Sequence, residues 1–260
     1  MKTLNNEGLY PIIHLQETTS TNSYLADLCE VSNLKEFTTV IADFQTIGRG
    51  QRGNTWESSP YKNLLFSILL FPDFVEARHQ FYISQIVSLA VKNTLDQYTN
   101  EITIKWPNDI YWKDKKIGGI LIEHTLTGTH IDRSIIGIGL NINQEKFHSS
   151  APNPISLYQI TQTKHSLSEI LDQIIEQLRV YYDSLREGNI GFIAQSYHQS
   201  LFRKEGWHPY ADKEGRFEGK VVEVKPSGEL IIEKKTGEIK AYQFKEVQQI
   251  INPNQNLFRY

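Results

Sequence analysis

Residues 48–53 read Gly-Arg-Gly-Gln-Arg-Gly, three glycines and two arginines in six positions, and the run from Leu64 to Phe71 that follows is apolar except for Ser67. This succession constrains the fold more than any other stretch. Gly48-x-Gly50-x-x-Gly53 has the spacing of a dinucleotide-binding turn. Such a turn holds a pyrophosphate only where it follows a strand and opens a helix whose N-terminus faces the ligand. Here the loop is followed by Trp56, by Ser58-Ser59-Pro60 and by an apolar run of strand length. The pattern therefore predicts a glycine loop feeding a buried strand and argues against a nicotinamide or flavin fold. Glycine lets a backbone approach a ligand closely, and arginine offers a rigid fork of donors to phosphate or carboxylate. The loop reads as a cradle for an anion; from these residues alone, a surface loop with solvated arginines is the alternative.

Around the loop the chain alternates strands and helices. Tyr10 to Gln16 reads as a strand, and Ser23 to Cys29 has helical spacing behind the hydroxyl cluster Thr18-Thr19-Ser20-Thr21-Asn22. Those hydroxyls suit helix capping, and the surplus ones, with the Asn22 amide, suit a polar ligand. Thr38 to Phe44 is a strand leading through Gln45 into the glycine loop. His79 to Tyr98 repeats apolar residues at helical spacing. Ile102–Lys105, Ile110–Trp112 and Ile117–Glu123 form a strand meander around Trp106-Pro-Asn-Asp109, and a hairpin at Thr127-Gly128 leads to Ser134–Asn143. Glycines inside these strands imply bulges or close backbone approach. The polar segment from Gln144 to Pro154 reads as loop. Ser166 and Glu169 form a capping box ahead of a packing helix through Leu185, stopped by Gly188. A second helix covers about Ile190 to Leu201. From Trp207 short alternating strands, separated by Pro226-Ser-Gly228 and Lys235-Thr-Gly237, predict a small β-barrel of roughly fifty residues.

With 260 residues, the chain has room for one large unit, 1–205, and a small one, 206–260. A net charge of −3 gives no basic stripe for nucleic acid. A single cysteine, Cys29, excludes a disulfide framework and a multi-cysteine metal site, and fits a cytoplasmic setting. No stretch has the length of a membrane helix, and the N-terminus has no signal-peptide core.

Four separated motifs then stand in order: Ser20-Thr21-Asn22; Gln45-x-x-Gly48-Arg49-Gly50-x-Arg52-Gly53 with Trp56; Lys105-Trp-Pro-Asn108-Asp109 with Lys116; and Gly137-x-Gly139-x-Asn141. Together they resemble the biotin protein ligases along nearly the whole chain. The resemblance implies an α+β fold: a mixed central sheet flanked by helices, of the class II synthetase-like type, with a C-terminal SH3-like barrel. It also implies an ATP-dependent, AMP-forming reaction in two steps. Biotin's carboxylate attacks the α-phosphate of ATP, giving biotinyl-5′-AMP. A lysine of a biotin carboxyl carrier protein then takes the biotinyl group. The motifs begin within the first twenty residues, ahead of which the DNA-binding segment that some members carry is not expected, so DNA is not an expected partner.

By the same resemblance, Ser20, Thr21, Asn22, Gln45, Gly48, Arg49, Gly50, Gln51 and Lys116 are the expected biotin contacts. Gln51 stands where some members have arginine. Arg49, Arg52, Trp56, Asn108, Asn141 and Asp109 are the expected ATP and adenylate contacts, with Trp56 stacked on adenine and Asp109 holding Mg²⁺ by oxygen chemistry. Two anions must approach each other in the first step, so fixed cations are needed between them; Lys116 and Arg49 are the expected catalytic groups. No role is expected for Cys29 or the histidines. The glycine loop is expected to order over the adenylate and exclude water. A lipoate or octanoate–protein ligase and a non-catalytic biotin sensor are the competing readings. An edge strand of the sheet can pair with the carrier or with a second copy of the chain.

Overall fold

A computed structural model describes residues 3–5, 10–50, 55–148 and 153–251. Its frame is an eight-stranded mixed sheet of order β1-β2-β3-β4-β8-β7-β6-β5. The strands are β1 (Thr3–Asn5), β2 (Ile12–Thr18), β3 (Thr39–Gln45), β4 (Leu64–Leu70), β5 (Ile102–Lys105), β6 (Asp109–Trp112), β7 (Lys115–Thr127) and β8 (His130–Leu140). Only β2 and β3 run parallel, and the crossover between them is helix α1 (Thr21–Val31). The other neighbours are antiparallel.

The apolar run after the glycine loop is β4, buried at all seven positions. Alternation divides it between two surfaces. Leu64, Phe66, Ile68 and Leu70 enter the main core, while Leu69 joins a smaller one with Ile13, Leu15, Leu25, Val40, Ala42 and Ile135 beneath α1. The main core lies under α2 (Phe81–Leu95), α4 (Leu167–Arg186) and α5 (Ile190–Gln199); a short α3 (Leu157–Thr161) follows the Gln144–Pro154 segment. Each Leu or Ile sealed this way contributes about 2 kcal/mol. One face of the sheet is thus covered by three helices. The other carries only α1 at one end, and its middle is left for the site.

Several expectations are met and some are refined. Ser166 caps α4 by accepting from the Glu169 amide, the forward half of the expected box. Gly188 takes a φ of +80° just after the helix. Helix α1 begins at Thr21, two residues earlier than its apolar spacing suggests, and its N-cap Ser20 makes no side-chain cap bond. The capping expectation for the hydroxyl cluster is therefore corrected: Ser20 makes no cap bond, and the Thr21 and Asn22 side chains bond to the sheet instead.

Beyond Trp207, a five-stranded antiparallel sheet of SH3-like form runs in the order β12-β11-β10-β9-β13. Its strands are β9 (His208–Asp212), β10 (Gly215–Val224), β11 (Leu230–Lys234), β12 (Ile239–Tyr242) and β13 (Val247–Gln249). Tyr210, Phe217 and Tyr242 stack through its interior. It meets the larger sheet where the Trp106 indole donates to Gly228 O at 2.9 Å. Among the described residues, no helix is long and apolar enough to cross a membrane.

Candidate active site

The open face is built by period-two spacing on two neighbouring strands. On β8, Gly137 and Gly139 share a side, with Asn141 just past the strand's end; on β7, Gly119, Leu121 and Glu123 do. The register sets Gly139 beside Gly119, and Gly119 beside Asp109 of β6. Three of these positions carry no side chain, and the reason is visible above them. A Cβ at Gly139 would lie 2.7 Å from the Trp56 ring, and one at Gly119 3.2 Å from it. A Cβ at Gly137 would lie 2.3 Å from Asn22 Oδ1. The glycines clear a floor on which Trp56 and Asn22 rest.

Gly48 and Arg49 begin a narrow turn over this floor. Arg49 bridges to Thr55, and the Trp56 amide donates to Gly48 O at 2.9 Å. A strand follows the loop, not a helix, as its sequence requires. Gln51, Arg52 and Gly53, with the proposed ordering of the loop, lie outside the described residues.

Lys116 is held on both sides of its strand. Its amide donates to Asn153 O, and its carbonyl accepts from the Ile155 amide. Its ammonium lies 2.6 Å from Asp109 Oδ1 and 5.6 Å from the centre of the Trp56 ring. Lysine, carboxylate and indole therefore meet in one place, with the lysine charge turned to Asp109. No group of three or more His, Cys, Asp or Glu side chains among the described residues suits a metal ion. Asp109 offers one carboxylate, which fits the habit of Mg²⁺ of binding through one or two carboxylates plus substrate phosphates.

Four of the expected biotin contacts, Gln45, Thr21, Asn22 and Arg49, fall into one continuous hydrogen-bond chain. Gln45 Oε1 accepts from the Thr21 amide at 2.7 Å and from its hydroxyl at 3.1 Å. Ser67 Oγ lies 2.7 Å from Thr21 Oγ1 and 2.6 Å from Asn22 Oδ1. Asn22 Nδ2 donates to Leu121 O and, at 2.7 Å, to Glu123 Oε2. Glu123 in turn accepts from Arg49 Nη2 at 2.7 and 2.9 Å. Ser20, buried at the head of α1, lies next to this chain in sequence. Asn22 has both amide hydrogens engaged, so only an oxygen lone pair remains for a ligand. Ser67 and Glu123 are the two links that no motif identified. Ser67 left one trace, a lone hydroxyl in an apolar strand; its face could not be read from sequence.

The two remaining asparagines differ. Asn108 Nδ2 donates to Ile120 O, and the Ile120 amide returns a bond to Asn108 O, so this side chain ties the turn to β7. Asn141 Nδ2 donates to Ile155 O, while its buried Oδ1 has no partner among the described residues. The Trp56 indole N–H is also buried and has none among them. Buried polar atoms left without a bond are costly and unusual, which makes both atoms candidates for ligand contact. An orphan acceptor at Asn141 calls for a donor, such as a ribose hydroxyl or an amine, rather than a phosphate. Lys105, opposite Asp109 in the β5–β6 register, has its ammonium pK lowered by burial, with Asp109 opposing the shift.

A mixed sheet with a glycine floor, an arginine turn and a lysine–aspartate pair makes a site suited to bringing two anions together. The family model described as Biotin/lipoate A/B protein ligase family matches residues 14–141. The bifunctional ligase/repressor BirA of Bacillus subtilis is 30% identical over 250 residues, covering 90% of this chain and 73% of that protein. BirA of Escherichia coli is 30% identical over 201 residues, covering 75% of this chain and 55% of that protein. The chain thus spans little more than half of the latter's length. A solved biotin protein ligase from Aquifex aeolicus, in complex with biotin and ATP, has a TM-score of 0.77 at 27% identity and covers 92% of this chain and 99% of that one. This chain belongs to the biotin protein ligases of the biotin/lipoate A/B protein ligase family.

Proposed function

We propose that this chain is an ATP-dependent biotin–protein ligase that attaches biotin to a lysine of a biotin carboxyl carrier protein by way of biotinyl-5′-AMP. The observation that carries the reading is the presence of two cations, Arg49 bonded to Glu123 and Lys116 bonded to Asp109, beside a glycine-cleared floor bearing Trp56. The similar ligase from Aquifex aeolicus was solved with biotin and ATP, and this supports the same substrates here.

In the first step a carboxylate oxygen of biotin attacks the α-phosphorus, the bond to the bridging oxygen of the β-phosphate breaks, and pyrophosphate leaves with the electron pair. Lys116 and Arg49 lower the repulsion between the two anions, an electrostatic contribution available only if both charges are held in place. For Lys116 to act on the phosphate, its ammonium must share or exchange its contact with Asp109. Mg²⁺, when bound, would supply charge neutralisation on the phosphates, with Asp109 as its protein ligand. Thr21 and Gln45, with Ser20 beside them, supply donors and acceptors suited to a ureido group in a mostly apolar pocket. In the second step the carrier's lysine amine attacks the acyl carbon, the bond to AMP breaks, and the amine loses a proton as the amide forms. We assign this chemistry to residues 1–205 and the barrel to 206–260, in the cytoplasm.

Pyrophosphate release measured with ATP and either biotin or lipoate, with and without a carrier domain, tests the reading. Biotin-dependent release and biotinylated carrier are the expected results. Release with lipoate alone would make the chain a lipoate ligase, and release with neither would overturn the assignment.

A further inference from the structure

We propose that Glu123 is a positioning residue for the adenylation step, fixing the guanidinium of Arg49 through a hydrogen-bond chain that starts at Gln45; the proposal rests on the ligase reading above. Both carboxylate oxygens of Glu123 face one nitrogen, Nη2, of Arg49. The other two guanidinium nitrogens keep their donors for an anion. The contact thus anchors one corner of the fork and leaves the remainder aimed.

The anchor is itself held. Asn22 is 2% exposed and donates to Glu123 Oε2. Asn22 is fixed in turn by Leu121 O, by Ser67 and by the bare backbone of Gly137, where a Cβ would collide with it. A displacement of Thr21 or Gln45 at the ureido end is therefore transmitted to Arg49 at the carboxylate end. Fold stability does not explain the contact. The two side chains are 41% and 44% exposed, and ion pairs so placed contribute little to folding. What an exposed pair of this kind does contribute is orientation, because only one partner is flexible when the other is clamped from behind.

The test is a double-mutant cycle on Glu123 and Arg49, reading kcat and KM for biotin- and ATP-dependent pyrophosphate release. Glu123→Gln keeps an acceptor for Asn22 and removes the charge that holds Arg49. It is expected to lower kcat about tenfold or more with the unfolding temperature nearly unchanged. In an Arg49→Gln background the same substitution is expected to cost nothing further. Glu123→Asp keeps the charge but withdraws it from Arg49, and it should show the same coupling if the Gln variant folds poorly. A Glu123→Gln enzyme within twofold of wild type, or an equal loss in both backgrounds, would overturn the proposal. Wild-type protein without biotin-dependent release would instead overturn the ligase reading, so the two failures are separable.

Discussion

Lys116 shows how much one side chain can depend on its strand. Its backbone is bonded to Asn153 and Ile155 on one side and paired with Tyr111 on the other, so its Cα has little freedom. What freedom is left lies in the four-carbon stem, whose ammonium rests on Asp109. Lys116→Ala is expected to reduce adenylate formation by at least a hundredfold while leaving the unfolding midpoint within a few degrees, because a partly exposed ion pair contributes about 1 kcal/mol or less. Pyrophosphate release and thermal unfolding of the same preparation check this; near-normal turnover would remove Lys116 from the chemistry. At this scale much of the site was legible. Arginines among glycines, and a lysine on a hairpin, announce anion chemistry by residue type. Ser67 and Glu123 were not legible as site residues, because each meets Asn22 from far off in sequence, across 45 and 101 positions. The hydroxyl cluster at the head of α1 suited capping by its local pattern, but the bonds Thr21 makes, to Gln45 and Ser67, are distant in sequence.

The hairpin of β7 and β8 is the element that matters most. Its glycines predicted close approach, and the structure supplies the approaching groups, Trp56 and Asn22. Alternation puts the glycines on the open side and sends Ile120 and Ile136 into the core. His124, farther along β7, lies against Ser134 Oγ at 2.8 Å. Burial lowers its pK from 6.5 to about 4. Below pH 6.5 the unfolded chain takes up a proton that the folded chain refuses until about pH 4. Stability is thus complete above the unfolded value and falls as the pH drops through this window, by about 3 kcal/mol at full extent. Unfolding temperatures at pH 7 and pH 4.5 should therefore differ more in wild type than in His124→Gln; equal slopes would exclude His124 as a source. Strands β9 and β13 escaped the sequence reading because both are short and neither alternates cleanly.

Across the whole molecule, the two sheets share a continuous apolar core and several specific contacts. Trp106 donates to Gly228 O and packs edge-on against Phe244. Arg203 donates to Ile250 O at 2.8 Å. Gly228 has a φ of +95°, and a Cβ there would lie 3.0 Å from the Phe81 ring. Gly228→Ala meets both the backbone penalty and the ring, so a loss of about 1–2 kcal/mol is expected in urea unfolding. The same variant should raise KM for ATP, since Trp106 precedes the Asn108-Asp109 turn. An unchanged midpoint would show that the junction yields more easily than its geometry implies. The sequence announced a change of texture at Trp207, and with it a second sheet. How that sheet is joined to the first was not legible, because Trp106 and Gly228 are 122 positions apart and neither carries a signal for the other.

That junction bears on chimeras. A barrel transplanted from a relative would arrive with its own turn between β10 and β11. Unless that turn offered a carbonyl to Trp106 and a bare Cα to Phe81, the recipient would keep its Asn108-Asp109 turn without the brace behind it. Exchange of the two parts would succeed only when the seam travels with the cargo.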